Sequence, residues 1–257
     1  MDMAEVTIHL YGTLNELVPR RKRSKLFHCP ADGRTTLKHA IEALGVPHTE
    51  VGLVTANGSV VQLDYIIQSG DQVEVYPKIS GEHPPHQEGE EPRFVLDNHL
   101  GRLAAYLRML GFDAIYSNGS PDEELARIAS QEKRILLTRD RGLLKRKAIQ
   151  YGYCVLQDDP TQQLLEVVRY YRLSKHIHPF QRCLRCNTLL EAVDKRTVEK
   201  ELQPQTRWYY DEFRQCPQCK KVYWKGSHYR RMQLLIEQVV AADDQTDNSN
   251  DYTQSAN

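Results

Sequence analysis

FVLDNHLGRLAAYLRMLGFDAIY (residues 94–116) sets a rhythm that returns downstream in RILLTRDRGLL (residues 134–144). A short apolar run ends in an aspartate, a segment of helical length follows with apolar residues three and four apart, and another apolar run begins. The series reads FVL, then a helix from about Asn98 to Leu110; DAIY, then a helix from about Pro121 to Gln131; RILLT, then a helix over RGLLKRKAI; YCVL, then a helix from about Thr161 to Tyr171. Four β-α units with short links predict a parallel α/β sheet with right-handed crossovers. Such a sheet collects its ligand site at the carboxyl ends of its strands.

Acidic residues follow every one of these strands: Asp97, Asp122 with Glu123 and Glu124, Asp140, and Asp158 with Asp159. Each can be a simple helix N-cap or a first-turn acid that suits the helix dipole. Ser120 and Glu123 have the spacing of a capping box, with Pro121 at the first helical position. Four acidic groups along one sheet edge also repel one another, and a divalent cation relieves that conflict. Mg²⁺ or Mn²⁺ takes oxygen ligands and is held by a few carboxylates plus substrate phosphate. There is no GxxxxGK[ST] stretch, which argues against a P-loop nucleotidase.

Cys183-x-x-Cys186 and Cys216-x-x-Cys219 form two knuckles, a pattern that places four thiolates around one tetrahedral Zn²⁺. Cys29 and Cys154 have no such partners and read as small core residues. Between Lys175 and Met232 thirteen Lys and Arg face six Asp and Glu, so a chain of zero formal charge hides a basic module. Arg207, Lys220, Lys221, Trp224, Lys225, Arg230 and Arg231 mix cations and an aromatic in the manner of a nucleic-acid surface, with Trp208, Tyr209, Tyr210, Tyr223 and Tyr229 among them. About half of these aromatics are expected in the ribbon's own small core.

The remaining boundaries follow from composition. Residues 1–80 read as a small α+β domain: strands in VTIHLYG, SKLFHC, VVQL, YII and VEVYP, and a helix in TTLKHAIEALG. Residues 81–92 lie in the Pro-rich stretch GEHPPHQEGEEPR and form a linker, so a fragment starting near Glu91 is expected to fold by itself. The α/β domain occupies 93–174 and the ribbon 175–235; residues 236–257, with four aspartates beyond Ala241, read as a disordered acidic tail. No apolar run is long enough to span a membrane and the amino end lacks the order of a signal peptide, which predicts a cytoplasmic protein without a membrane partner.

Two resemblances sharpen this reading. DYIIQSGDQVEVYPKISG (residues 64–81) resembles the end of ubiquitin-like β-grasp domains related to the small sulfur carriers. Those carriers act through a free terminal Gly-Gly; here Ser80-Gly81 stands in its place and the chain continues, so the resemblance implies the fold and a docking role toward a protein partner. From Phe94 to Met232 the stretches LDNHLGRLAAYLRMLGFDA, PDEELARIA, RILLTRDRGLL, DDPTQQL, the Cys-x-x-Cys pairs and VYWKGSHYRRM resemble the PIN-like ribonuclease domain family named after the carboxy-terminal region of the Mut-seven exonuclease. That resemblance implies a PIN-like α/β nuclease joined to a structural zinc ribbon. It implies metal-binding acids at Asp97, Asp122 and Asp140, with Glu123 and Asp158 as further members of the catalytic set. The expected activity is Mg²⁺- or Mn²⁺-dependent hydrolysis of RNA, single-stranded by preference, with the ribbon helping to hold it; the competing reading is a non-catalytic RNA- or ribosome-associated adaptor.

Overall fold

In the computed structural model of the protein, residues 5–78 and 91–250 are described, with side chains up to 241. Ser80-Gly81 and most of the expected linker lie outside the described residues. The amino-terminal elements are β1 (Glu5–Leu10), β2 (Leu26–Pro30), α1 (Leu37–Leu44), β3 (Val51–Ala56), β4 (Ser59–Val60) and β5 (Gln72–Pro77). They form one sheet in the order β2-β1-β5-β3-β4, with β1 and β5 parallel and the other neighbours antiparallel, which is the β-grasp arrangement. Alternate residues Val6, Ile8 and Leu10 of β1 and Val73 and Val75 of β5 are buried, as are Leu37, Ala40 and Ile41 of α1. The helix starts because Thr36 accepts the His39 N–H and stops at Gly45, whose φ of +106° an L side chain resists.

Two strands differ from expectation. VGLVTA is β3, hidden from a period-two reading because its pairing with β5 shifts register between Val51 and Val54 and leaves Leu53 exposed. YII is no strand: Ile66 makes one isolated bridge to Thr36 while Ile67 plugs the core.

The α/β region follows with β6 (Phe94–Leu96), α2 (Gly101–Leu110), β7 (Ala114–Tyr116), α3 (Asp122–Gln131), β8 (Ile135–Thr138), α4 (Arg141–Leu144), β9 (Gly152–Cys154) and α5 (Pro160–Tyr171). Its strands pair in parallel, β6 with β7 and β8 with β9. The expected helix after β6 begins as a 3₁₀ turn, Asn98–Leu100, and the helix expected over RGLLKRKAI is the single turn α4.

The ribbon comprises β10 (Glu191–Val193), α6 (Lys195–Val198), α7 (Pro204–Tyr209), β11 (Phe213–Gln215) and β12 (Val222–Tyr223), the three strands pairing antiparallel in chain order. Val198, Leu202 and Phe213 form its small core, with Val193, Tyr210 and Val222 against them. Trp208 and Tyr209 stay 85% and 79% exposed, so the aromatics divide between core and surface. The last helix, α8 (Ser227–Asn250), runs through most of the stretch expected to be a disordered tail. It packs on α5 and buries Ile236 and Val239, and that anchor lets helical hydrogen bonding continue into the polar segment.

The chain divides into two units that cut across the expected boundaries: residues 1–82 with 121–154, and residues 83–120 with 155–257. In the first unit the 3₁₀ turns Gly12–Leu17 and His48–Glu50 hold the segment that carries β8, α4 and β9. The buried Glu50 carboxylate accepts the Cys154 N–H at 2.6 Å, His48 donates from Nε2 to the Ile149 carbonyl at 2.9 Å while its Nδ1 meets Glu42 at 2.7 Å, and Arg141 donates to the Leu17 carbonyl. The β-grasp domain thus completes backbone hydrogen bonds of another part of the chain.

Candidate metal centre and acidic strand ends

The three residues of β6 are fully buried and deliver Asp97 at their end, itself only 7% exposed. Its carboxylate accepts the Asn98 N–H. Asn98 is fixed in turn, since its carbonyl accepts from the Tyr116 hydroxyl at 3.0 Å and its Oδ1 from the Gly119 N–H at 2.8 Å. The turn therefore holds Asp97 at a set orientation rather than leaving it to solvent.

Asp140 follows β8 in the same way. The buried Thr138 hydroxyl accepts the Asp140 N–H at 2.9 Å, and the Asp140 carboxylate caps α4 by accepting the Gly142 N–H at 2.7 Å. Asp122 and Glu123 open α3 and share one guanidinium, Arg146, at 3.6 and 3.0 Å. The Glu123 carboxyl lies below its ordinary pKa because its own backbone N–H, and then Arg146, favour the anion. The capping box expected from Ser120 and Glu123 does not form: Pro121 holds the cap position and makes no side-chain bond, while Glu123 turns to Arg146. Asp159 caps α5, which leaves Asp158 outside the cap.

Among the described residues, the four cysteines are the one set of three or more His, Cys, Asp or Glu side chains whose ligand atoms all lie within 4.8 Å of one another. The described acids form no such set. Their local settings show Asp97 and Asp140 as caps with fixed backbones, and Asp122 and Glu123 as partners of Arg146, a residue that no sequence pattern singles out.

The cysteine site is built by two matching turns. Asn187 N–H returns to the Cys183 carbonyl and Lys220 N–H to the Cys216 carbonyl, both at 2.9 Å. Both return residues are left-handed, at φ +67° and +60°. Cys186 and Cys219 N–H groups point at the Cys183 and Cys216 sulfurs at 3.5 Å. Cys183 Sγ and Cys219 Sγ lie 3.7 Å apart, which matches the edge of about 3.8 Å in a tetrahedron with Zn–S bonds of about 2.3 Å. The donor set, the spacing and the aimed N–H groups fit one structural metal such as zinc.

Burial resists ionisation of Cys183, yet the Tyr223 hydroxyl at 3.2 Å and the N–H groups of Cys186 and Arg185 overcome it and bring the thiol down to about 6. Cys186 moves up, through burial and the neighbouring sulfurs. The Tyr223 hydroxyl that meets Cys183 also accepts the Leu184 N–H at 3.1 Å.

A second group of residues, missed by motif reading, welds the first knuckle to the α/β region. Arg108 lies on the buried face of α2, 4% exposed, and donates to the carbonyls of Ala114, Leu184 and Arg185 at 2.9 to 3.0 Å. Burial lowers its pKa, and the charges of Cys183 and Cys186 act in the opposite direction. Asn187 accepts the Ala114 N–H and donates to Asp113, and Arg182 donates to the carbonyls of Gly111 and Asn187. At Gly111, φ +108°, a Cβ would stand 2.2 Å from the His178 carbonyl oxygen, so the chain passes there at glycine distance. A charged residue in the apolar stripe YLRML is the one available signal for this junction.

Among the residues proposed for nucleic acid, Lys220, Lys221, Lys225, Arg230 and Arg231 are exposed. Arg207 instead donates to the Leu202 carbonyl, Lys221 sits 5.5 Å over the Tyr223 ring, and Lys225 pairs with Glu212 at 3.0 Å. No helix among the described residues is long and apolar enough to cross a membrane.

Comparison with known proteins supplies the family. The model of the Mut7-C RNAse domain matches residues 92–236, more than half of the chain, and that of the Mut7-C ubiquitin domain matches residues 3–82. Over 137 residues the chain is 34% identical to the human protein named exonuclease mut-7 homolog, a stretch that covers 51% of this chain and 16% of that protein. The chain thus spans about a sixth of the length of the curated relative it matches. Two crystal structures of the small archaeal modifier protein SAMP1 of Haloferax volcanii are covered over 99% of their length and 30% of this chain, at 21% and 22% identity and TM-scores of 0.24 and 0.25. With its Mut7-C RNAse domain preceded by a Mut7-C ubiquitin domain, the chain belongs to the Mut7-C family, whose domain is of nuclease type.

Proposed function

We propose that the protein is a divalent-metal-dependent ribonuclease of PIN-like fold that hydrolyses single-stranded RNA, with Asp97, Asp122 and Asp140 as metal ligands, Glu123 and Asp158 as further acids, and the zinc ribbon assisting RNA binding. The observation that carries it is Asp97: a largely buried carboxylate, held at a strand end by a turn that Tyr116 and Gly119 fix, is a costly arrangement for a mere cap. Mg²⁺ is usually held by one or two carboxylates, with waters and phosphate oxygens completing the shell, so the acids need no preformed cage.

When bound, the cation supplies a nucleophilic water and neutralises the charge that develops on the phosphodiester. The chain's own part is to orient. Asp97 and Asp140 present oxygens from strand ends whose backbones are pinned by Asn98 and Thr138. Arg146, shared by Asp122 and Glu123, balances their charge in the free protein.

A second reading, a non-catalytic RNA adaptor, draws on the capping bonds that Asp97 and Asp140 make. Single-turnover cleavage of labelled single-stranded RNA with Mn²⁺ or Mg²⁺, by wild type and Asp140→Asn, separates the two. Asn keeps most of the cap but is a poor ligand for Mg²⁺, so cleavage is expected to fall by orders of magnitude with an unchanged or slightly higher Tm. Equal rates would remove Asp140 from the metal site, and no cleavage by wild type with either metal would favour the adaptor.

A further inference from the structure

The ribbon carries an open cleft of about 510 Å³ that no cysteine lines, between residues 179–184, the hairpin strands and the first turns of α8. Phe180, Phe213, Tyr223, Trp224 and Tyr229 place aromatic rings among its walls. Phe180 and Tyr229 face each other with ring centroids 4.3 Å apart and 33° between planes, and Trp224, 38% exposed, stands 6.5 Å from Phe213. The lining cations are Arg182, Arg214 and Lys225, and the lining acids are Asp211 and Glu212. The acids already have cationic partners, Lys195 at 2.8 Å and Lys225 at 3.0 Å, while the Arg214 side chain is exposed at the rim.

We propose that this cavity holds one nucleotide of a single-stranded RNA, its base against Trp224 and Tyr229 and its phosphate toward Arg214. The proposal rests on the RNA-handling reading above and adds a defined subsite to it. The volume lies in the range of about 300–1,000 Å³ that suits a small ligand. A flat aromatic base gains from stacking on exposed aromatic faces whatever its identity, and the excess of seven positive charges between Lys175 and Met232 selects a polyanion over an apolar peptide. The pocket also depends on the metal turn, because Tyr223, which lines it, bonds Cys183 Sγ and the Leu184 N–H.

The test uses the full-length, zinc-loaded chain without Mn²⁺ or Mg²⁺ and a hexameric RNA with 2-aminopurine at one position, whose emission falls when the base stacks. Wild type is expected to quench it saturably. Trp224→Leu and Tyr229→Leu should each weaken binding about 5- to 150-fold, the range of one base–aromatic stack. Because Trp224 also packs on Phe213, Arg214→Ala gives an answer that leaves the ribbon core untouched: a lower affinity and a salt dependence shallower by about 0.7 for each phosphate no longer neutralised. Wild-type affinity in Arg214→Ala together with either aromatic variant overturns the subsite, as does displacement of the probe by an apolar peptide but not by adenosine monophosphate. Quenching by a protein that cleaves nothing in Mn²⁺ removes the nuclease reading and leaves the pocket standing; cleavage with binding unchanged in all three variants does the reverse.

Discussion

Asp97 and Asp140 each accept an N–H from the turn that follows them, and this capping bond is what their sequence context announces; whether an oxygen is also turned to a metal depends on neighbours such as Tyr116 and Thr138 that no local pattern reveals. The knuckle cysteines are legible because a tetrahedral site fixes short spacing within the chain. Arg108 is not, since its three carbonyl partners, at Ala114, Leu184 and Arg185, are chosen by folding. Arg108→Met should leave those carbonyls without donors and cost about 3 kcal/mol, read as a fall in the denaturation midpoint. Arg108→Lys should recover little, because an ammonium cannot bridge three carbonyls in the guanidinium plane. Thr49 offers a change of opposite sign. Its hydroxyl is buried without a partner, so Thr49→Val should stabilise by about 1 kcal/mol and raise the Tm by about 2–4 °C; a lower Tm would mean that the hydroxyl is satisfied in solution.

Helices and strands with a strong apolar rhythm are readable: β6, β8, α2, α3 and α5 lie where periodicity puts them. β3 is not, because a register shift and an exposed Leu53 break the alternation, and the extension of α8 is not, because its helical state depends on burial of Ile236 and Val239. The ribbon and α2 behave as one mechanical element through Arg108, Asn187 and Arg182. Removing the metal with a chelator should therefore loosen more than the knuckles. Amide exchange in residues 101–116 is expected to accelerate at least about tenfold along with that of 183–223, reflecting a loss of more than about 1.4 kcal/mol of local protection. Acceleration confined to the knuckles would show that Arg108 holds α2 without help from the metal.

For the whole molecule, composition marks a break in apolar content at residues 81–92, but it does not show that residues on either side of the break share hydrogen bonds. Glu50, His48 and Leu17 supply partners to Cys154, Ile149 and Arg141. A fragment starting at Glu91 is therefore expected to be less stable than the full chain by a few kcal/mol, with exchange protection lost across residues 135–154; a fragment as stable as the full chain would show these bonds to be incidental. Glu50→Gln is a milder version, keeping the acceptor for Cys154 N–H while removing its charge.

The bond between Glu50 and Cys154 closes a loop whose ends lie 104 residues apart, and this gives the protein a timetable as well as a shape. At roughly 5–20 residues per second, the ribosome delivers Cys154 about 5–20 s after Glu50. Once β5 has followed, the β-grasp domain waits for the rest of that interval without the backbone groups that Cys154 and Ile149 bring. The amino-terminal domain is then a template already in place when the strand that it completes emerges, so a nascent chain stalled before residue 154 should carry a folded β-grasp domain and an unsettled second half.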